Sequence, residues 1–231
     1  MTIYKGENYF FFIMTSGLRS LRDKTLVYFE EAFEHSKEGF DHLYKVVNCI
    51  SEQIRQVYKE DSEPLKEAGL QFNMHMLIGG QLGSDREHQL FFIYPQGNWV
   101  IVGQGTPYQI IGAAPYGKPI LDRTLKYTDS IPFALKVGTL AFDSTRISAA
   151  DVDYPIDIVL YRKDSFDFVE RCLGKDDLKD LSEWWQGRLR NSIDSLPSEW
   201  IKGLSDLVPE PVIKKLKKNN SKKVRSINQD G

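Results

Sequence analysis

Residues 79–122 constrain the fold more than any other stretch of this chain. Short apolar runs alternate there with glycine and proline breaks. Residues 90–94, LFFIY, are apolar and strand-forming. Pro95-Gln96-Gly97 follows with turn chemistry, proline presetting φ and glycine suited to closing a type I turn. Residues 99–102 form the return strand, so the pattern predicts a hairpin. Gly103-Gln104-Gly105 breaks it, and residues 108–111 read as a third strand. Gly112-Ala113-Ala114 then lets the backbone pass close to a neighbour, and the chain turns into a helix over residues 116–122.

The remaining segments alternate helix and strand periods. Residues 3–4 and 9–15 read as two strand pieces joined by a tight turn at residues 5–8. The second piece is apolar on both faces, as in a strand packed between layers. Leu18, Leu21, Leu26, Phe29 and Phe33 fall near helical spacing. Phe40, Leu43, Val47, Ile50, Ile54 and Val57 give a second amphipathic helix, separated from the first at Gly39. Residues 61–69, with Pro64, read as a polar connection. Residues 72–78 read as a strand followed by Gly79-Gly80, which permits a turn or close packing. Ser130 has the place of a helix N-cap, with Pro132 in the first turn and residues 133–142 as the body. Residues 148–154 read as a loop, 155–161 as a buried strand, and Leu178, Leu181, Trp185 and Leu189 as a last helix ending near Pro197. Helix pairs alternating with antiparallel strands predict a layered α+β domain.

At 231 residues the chain is long enough for one large core without staples. Its two cysteines, Cys49 and Cys172, lie far apart and read as buried thiols in a reducing compartment. The four histidines lack metal-binding spacing, so neither a metal nor a cofactor is expected. The run at residues 9–14 is too short to span a bilayer, which predicts a cytoplasmic protein without membrane contact. Lys214, Lys215, Lys217, Lys218, Lys222, Lys223 and Arg225 gather positive charge at the end of a chain whose net charge is −2. That stretch has no interleaved aromatics, so it reads as a solvated tail and not as a nucleic-acid site. The domain is expected over residues 1–200 and the basic, disordered tail over 201–231.

The phrases GGQL, FIYPQGNW, TPYQIIG and YGKPILDR, with Ala141-Phe142-Asp143-Ser144-Thr145 and Tyr154-Pro155-Ile156-Asp157, carry a resemblance. In order and spacing they resemble Anbu, the bacterial proteasome-like family related to the proteasome β subunit and the HslV peptidase. The resemblance covers residues 4–197 and implies the four-layer αββα sandwich of N-terminal nucleophile hydrolases. In such families the nucleophile is an N-terminal threonine whose own amine acts as base, supported by a lysine, an aspartate and a backbone N–H at the oxyanion. Family chains open with that threonine, an Asp-x-Arg turn and a lysine before the stretch matching Ile3-Tyr4. None of these precedes Tyr4. The expectation is therefore a domain lacking its first strands, roughly thirty to forty residues that hold the nucleophile.

Single positions follow from the same resemblance. Gly17 matches the glycine whose N–H faces the oxyanion, and a glycine also suits a strand-to-helix turn there. Thr15 and Arg19 flank it and would line the substrate pocket, although Arg19 also reads as a solvated first-turn residue. Ala114 stands where the proteasome family has a serine. Ser148 and Asp151 sit where the family has an Asp-x-x-Ser pair, and an unpartnered loop aspartate is the alternative for Asp151. Asp143-Ser144-Thr145 also suits capping and packing at a helix C-terminus. Thr2 lacks the Asp-x-Arg turn and a correctly spaced lysine, and is not expected to be a nucleophile.

Two functions follow as expectations. One is a proteasome-type, threonine-dependent peptidase subunit acting on peptide amide bonds, inactive as given for want of its nucleophile segment. The other is a non-catalytic structural subunit of a self-assembled ring or spiral. The expected partners are copies of the same chain and a peptide substrate; an ATPase partner is left open.

Overall fold

The computed structural model describes residues 1–36, 39–205 and 207. The chain divides into two compact units, Met1–Gln186 and a second beginning at Gly187. The basic run expected at residues 214–225 lies outside the described residues.

The first unit is built on a five-stranded antiparallel sheet in sequential order. Its strands are β1 (Thr2–Lys5), β2 (Tyr9–Gly17), β3 (Met74–Leu82), β4 (Gln89–Ile93) and β5 (Trp99–Ile101). β3 is central and buried at every position except His75, which is half-buried. Its two glycines are strand residues and not a turn. A Cβ on Gly80 would lie 2.1 Å from the Phe10 carbonyl oxygen, and one on Gly79 would lie 2.5 Å from the Phe12 ring. Between a turn and close packing, the structure selects close packing. The β4–β5 hairpin forms as its sequence predicts: the Gly97 N–H donates to the Tyr94 carbonyl across Pro95, and Gly97 takes φ +74°.

One face of this sheet is covered by α1 (Arg19–Ser36) and α2 (Leu43–Glu67). Leu43, Val46, Val47, Ile50, Ile54 and Val57 of α2 are all buried, against Leu21, Phe29 and Phe33 of α1 and Phe11, Ile13, Met76, Ile78 and Phe91 of the sheet. The alternating steps of three and four put these side chains on one stripe, and the sheet supplies the surface to bury it. Apolar burial of this kind contributes roughly 25 cal/mol per Å². The connection expected at residues 61–69 is instead helical. Pro64 lies inside α2 and removes only one backbone donor. The helix stops at Gly69, with φ +72°. There the Gly69 N–H donates to the Lys66 carbonyl and the Leu70 N–H to the Leu65 carbonyl, which is a Schellman closure. Lys24 of α1 reaches both Glu60 at 2.7 Å and Asp61 at 2.8 Å on α2.

The other face meets a second, two-stranded sheet, β6 (Ile156–Tyr161) and β7 (Phe168–Leu173). Phe10 stacks on Tyr161 at 4.6 Å and packs on Phe168 at 5.1 Å. Beside them the side chain of Gln81, 1 % exposed, is saturated with hydrogen bonds. Its oxygen accepts from the Tyr161 hydroxyl and the Asp164 N–H, both at 2.9 Å. Its nitrogen donates to the Asp164 carboxylate at 2.7 Å and the Asp85 carbonyl at 3.2 Å. At the rim, Lys5 of β1 pairs with Asp167 at 2.7 Å. β6 was expected to be buried and is half-buried, because it pairs with β7 alone among the described residues. β7 is half-buried only at its two ends and exposed between them, Val169 included, and gave no apolar run to find in the sequence.

α3 (Ala114–Thr124) and α4 (Ile131–Ser148) form a second helix pair. Gly117 makes their close crossing possible: a Cβ there would lie 2.7 Å from the Ala141 carbonyl oxygen. Ser130 caps α4 as expected, accepting from the Phe133 N–H. The third strand expected at residues 108–111 does not form. Tyr108 and Ile110 pack instead against Leu121, Val137 and Ala141. The Tyr108 hydroxyl bonds Asp122, and Lys118 bridges both groups. Side-chain anchoring to α3 wins over a ladder that Pro107 cannot join. α5 (Lys175–Asp194) follows β7, and the unit boundary falls within it; α6 (Glu199–Ser205) runs into the stretch expected as tail. Cys49 is half-buried and Cys172 exposed, so neither is the fully buried thiol expected from sequence. The upward shift of Cys49 comes from burial, and that of Cys172 from its hydrogen bond to Asp157.

Replacing Gln81 by leucine keeps the volume but leaves the Tyr161 hydroxyl and the Asp164 N–H without their acceptor. Urea unfolding is expected to show a loss of about 2–4 kcal/mol relative to wild type. A loss below about 0.5 kcal/mol would show that the two sheets are held by apolar contacts alone.

Candidate functional site

The candidate site lies where β2 turns into α1. Gly17 takes φ +109°, and a Cβ there would fall 2.0 Å from the Asn73 carbonyl oxygen. The Leu18 N–H donates to that same oxygen at 2.9 Å. Glycine is therefore required by the turn itself, whatever further use its N–H has. Thr15, half-buried, lines a cleft of about 410 Å³ together with Met1, Thr2, Ile13, Met14, Arg22, Asp23 and Leu26.

The charged wall of this cleft comes from the first turns of α1. Arg22 holds the Asp23 carboxylate at 2.7 Å, and Arg19 approaches its other oxygen at 3.3 Å. Arg22 first, and Arg19 after it, hold the Asp23 carboxyl below the ordinary aspartate value. Arg19 is turned to solvent and lies outside the cleft lining, whereas Arg22 and Asp23 line it. The sequence reading missed these two. Their spacing from Arg19 was the available signal, since residues three and four apart share a helix face.

The other sequence-derived positions are not gathered at this corner. Ser148 is the last residue of α4 and is exposed; Asp151 is exposed in the turn that follows. Neither lines the cleft with Thr15. Ala114 opens α3, its N–H donating to the Gly112 carbonyl. Gly112 itself comes close to the site: a Cβ built on it would stand 3.9 Å from that of Ser16. Asp143 is buried in α4, accepting from Ser182 at 3.0 Å and Arg146 at 2.9 Å, and Thr145 donates to the Ala141 carbonyl beneath Gly117. Packing thus accounts for Asp143 and Thr145, which lie within α4 before its last residue.

Thr2 sits in β1 opposite Ile13, four residues short of Gly17 along β2. At about 3.3 Å per residue that is roughly 13 Å. Lys5, the nearest lysine in sequence, is engaged by Asp167 at the other end of β1. No group of three or more histidine, cysteine, aspartate or glutamate side chains that could hold a metal occurs among the described residues. No helix there is long and apolar enough to cross a membrane.

A helix pair on a five-stranded antiparallel sheet, a second sheet on its other face and a second helix pair give a mixed helix and sheet fold, that of a proteasome-related subunit. More particularly, the chain resembles Anbu. It is 28 % identical to an Anbu (Gly-1) mutant from Hyphomicrobium sp. strain MC1, with a TM-score of 0.77 over 85 % of this chain and 84 % of that one. It is 26 % identical to Anbu, described as an ancestral beta-subunit, from Yersinia bercovieri, with a TM-score of 0.77 over the same shares. A helical assembly of the Anbu complex from Pseudomonas aeruginosa shares the fold, at 24 % identity and a TM-score of 0.76 over 86 % of this chain and 85 % of that one. No protein-family model and no curated protein matches the chain. The resemblance carried by the sequence phrases therefore holds in three dimensions.

A carboxyl whose folded value is lowered stabilises the fold above its unfolded value, and that contribution is lost as the pH falls through the folded value. For Asp23 the window lies below about pH 4. A carbon-detected NMR titration is expected to place Asp23 under the ordinary aspartate value, and Arg22→Ala to raise it. An unmoved midpoint in the variant would show that Arg22 does not set the charge of the cleft.

Proposed function

We propose that this chain is a proteasome-type subunit of the N-terminal threonine hydrolase kind, whose family chemistry is cleavage of peptide amide bonds. The observation that carries the reading is the likeness to Anbu at 28 % identity and a TM-score of 0.77 over most of both chains. In this reading the α1–α2 pair, the two sheets and the α3–α4 pair make the four-layer αββα sandwich. The sandwich domain extends over residues 1–200 and a basic tail follows. Gly17 offers its N–H to the oxyanion, Thr15 lines the substrate cleft with Arg19 at its mouth, and Ser148 and Asp151 serve the amine. The chain works in the cytoplasm, without a cofactor, on peptide substrates.

Peptide cleavage is the chemistry of the family; in this reading Thr2 does not perform it. Thr2 is roughly 13 Å along the strand from Gly17, and Lys5 is bound by Asp167. A threonine without an adjacent base or lysine is a weak nucleophile.

A second reading is a non-catalytic subunit of a ring or spiral built from copies of this chain. Ala114 has no hydroxyl to offer, and the Anbu of Pseudomonas aeruginosa forms a helical assembly.

Inactivity and self-assembly are tested in one experiment. The purified chain is passed over a sizing column with light scattering and then treated with a peptide epoxyketone. Assembly into a closed ring or spiral without labelling of Thr2 is expected. Labelling at Thr2 would overturn the assignment of inactivity, and a monomer at tens of micromolar would overturn self-assembly.

A further inference from the structure

We propose that the second unit docks on an anionic lipid surface, its exposed apolar side chains entering the headgroup region while the basic run that follows them holds the lipid charge. Every residue from Gly187 to Leu204, and Leu207 after them, is exposed. Leu189, Ile193, Leu196, Trp200, Leu204 and Leu207 are among them, with Trp200 69 % and Leu207 77 % exposed. Leu189 and Ile193 stand one turn apart on one face of α5, as Trp200 and Leu204 do on one face of α6. A lone exposed leucine is ordinary. A stretch in which every described large apolar side chain faces water is not, and it marks a surface that another body covers. A helix as short as the 7 residues of α6 has little stability of its own in water and gains it by packing its apolar face.

Charge says what that body is. Residues 214–225 carry six lysines and one arginine and no acidic residue. Aliphatic residues accompany them, Val212 and Ile213 just before and Leu216 and Val224 within. This run lies outside the described residues, and its charge is a property of the sequence. Cations beside exposed aliphatic and indole groups match a bilayer surface with acidic headgroups: the phosphates attract the lysines, and the apolar side chains reach the acyl boundary. Trp200 suits that boundary, since an indole has an apolar body and one N–H to leave in the wet layer. Either signal alone holds a membrane weakly, and the two together give a lasting peripheral attachment. Nucleic acid fits less well, because aliphatic side chains offer bases no stacking partner. A second copy in a two-fold pair also fits less well, because it would bring two basic runs to one interface. The contact is peripheral, as no helix among the described residues is long and apolar enough to cross a bilayer. It replaces the expectation of a chain without membrane contact, which rested on the lack of a spanning segment. The inference lies beyond the proposed function and requires no peptidase activity.

The probe is a pair of extruded vesicles, phosphatidylcholine alone and phosphatidylcholine with about one-third phosphatidylglycerol, floated with the full chain at low salt. Binding to the anionic vesicles is expected to be at least about ten-fold tighter than to the neutral ones, with the difference lost in about 0.5 M sodium chloride. Tryptophan emission is expected to shift to shorter wavelength on the anionic vesicles, and Trp200→Phe to remove most of that shift. Trp200→Ser combined with Leu204→Ser replaces side chains that already face water. Its thermal midpoint is expected to stay within about 2 degrees of wild type, while vesicle binding weakens at least about five-fold. Should that variant not fold, the wavelength shift of wild type decides. No preference for anionic vesicles, unmoved tryptophan emission, or unchanged binding by the folded serine variant would each overturn the proposal. Tighter binding of polyuridylate than of anionic vesicles would assign the surface to nucleic acid and overturn it. Dissociation of a native oligomer by the serine variant, with no vesicle bound by wild type, would assign the surface to a second copy of the chain and also overturn it.

Discussion

The contact between the two sheets governs this fold. A five-stranded sheet with helices on one face leaves Phe10, Phe12 and Gln81 on the other, and none of them tolerates that face being bare. Phe10 is satisfied by ring stacking on Tyr161 and Phe168. Gln81 is satisfied by four hydrogen bonds, three of them to residues of β6 and the turn after it. A buried amide of this kind is costly when half-satisfied and specifying when complete. It fixes where β6 lies along β3, which a purely apolar interface would leave free to slide. The placement of the smaller sheet depends on that one glutamine.

Much of the architecture was legible because its physics is local. The stripe Leu43, Val47, Ile50, Ile54 and Val57 declared a helix with one buried face, and the face is buried as read. The Pro95-Gln96-Gly97 turn and the Ser130 cap announced themselves through backbone chemistry that few other residues supply. The failures were all nonlocal. Pro64 looked like a break because the cost of a proline is visible in sequence, while the bridges from Lys24 to Glu60 and Asp61 are not. Residues 108–111 have strand composition, yet Asp122 and Lys118 claim Tyr108 for the side of α3. β7 has no apolar period, and its pairing with β6 is decided by a partner strand rather than by its own residues.

The candidate site was legible only in part. Gly17 came from the resemblance, and the structure shows that the turn itself requires glycine there. Thr15 came from the same resemblance, and it lines the cleft beside that turn. Arg22 and Asp23 escaped because charges on a first helical turn are common, and only the packing of α1 beside β2 turns them into the wall of a cleft. Ser148 and Asp151 came from resemblance and not from any chemistry in the residues themselves. The structure leaves them at the far end of α4, outside the lining of that cleft.

α2 holds one more consequence. Its 25 residues run for about 38 Å, but its buried positions end at Val57. Up to that point oil-like contacts secure it; beyond, only the half-buried Leu65 packs on the core, and ion pairing to Lys24 and the glycine stop at Gly69 add to it. One continuous helix therefore has two halves with different sensitivities. Added salt should loosen the distal turns and leave the proximal ones unmoved, giving the molecule an ionic-strength-dependent fray one residue along α1 from the Asp23 that lines the cleft.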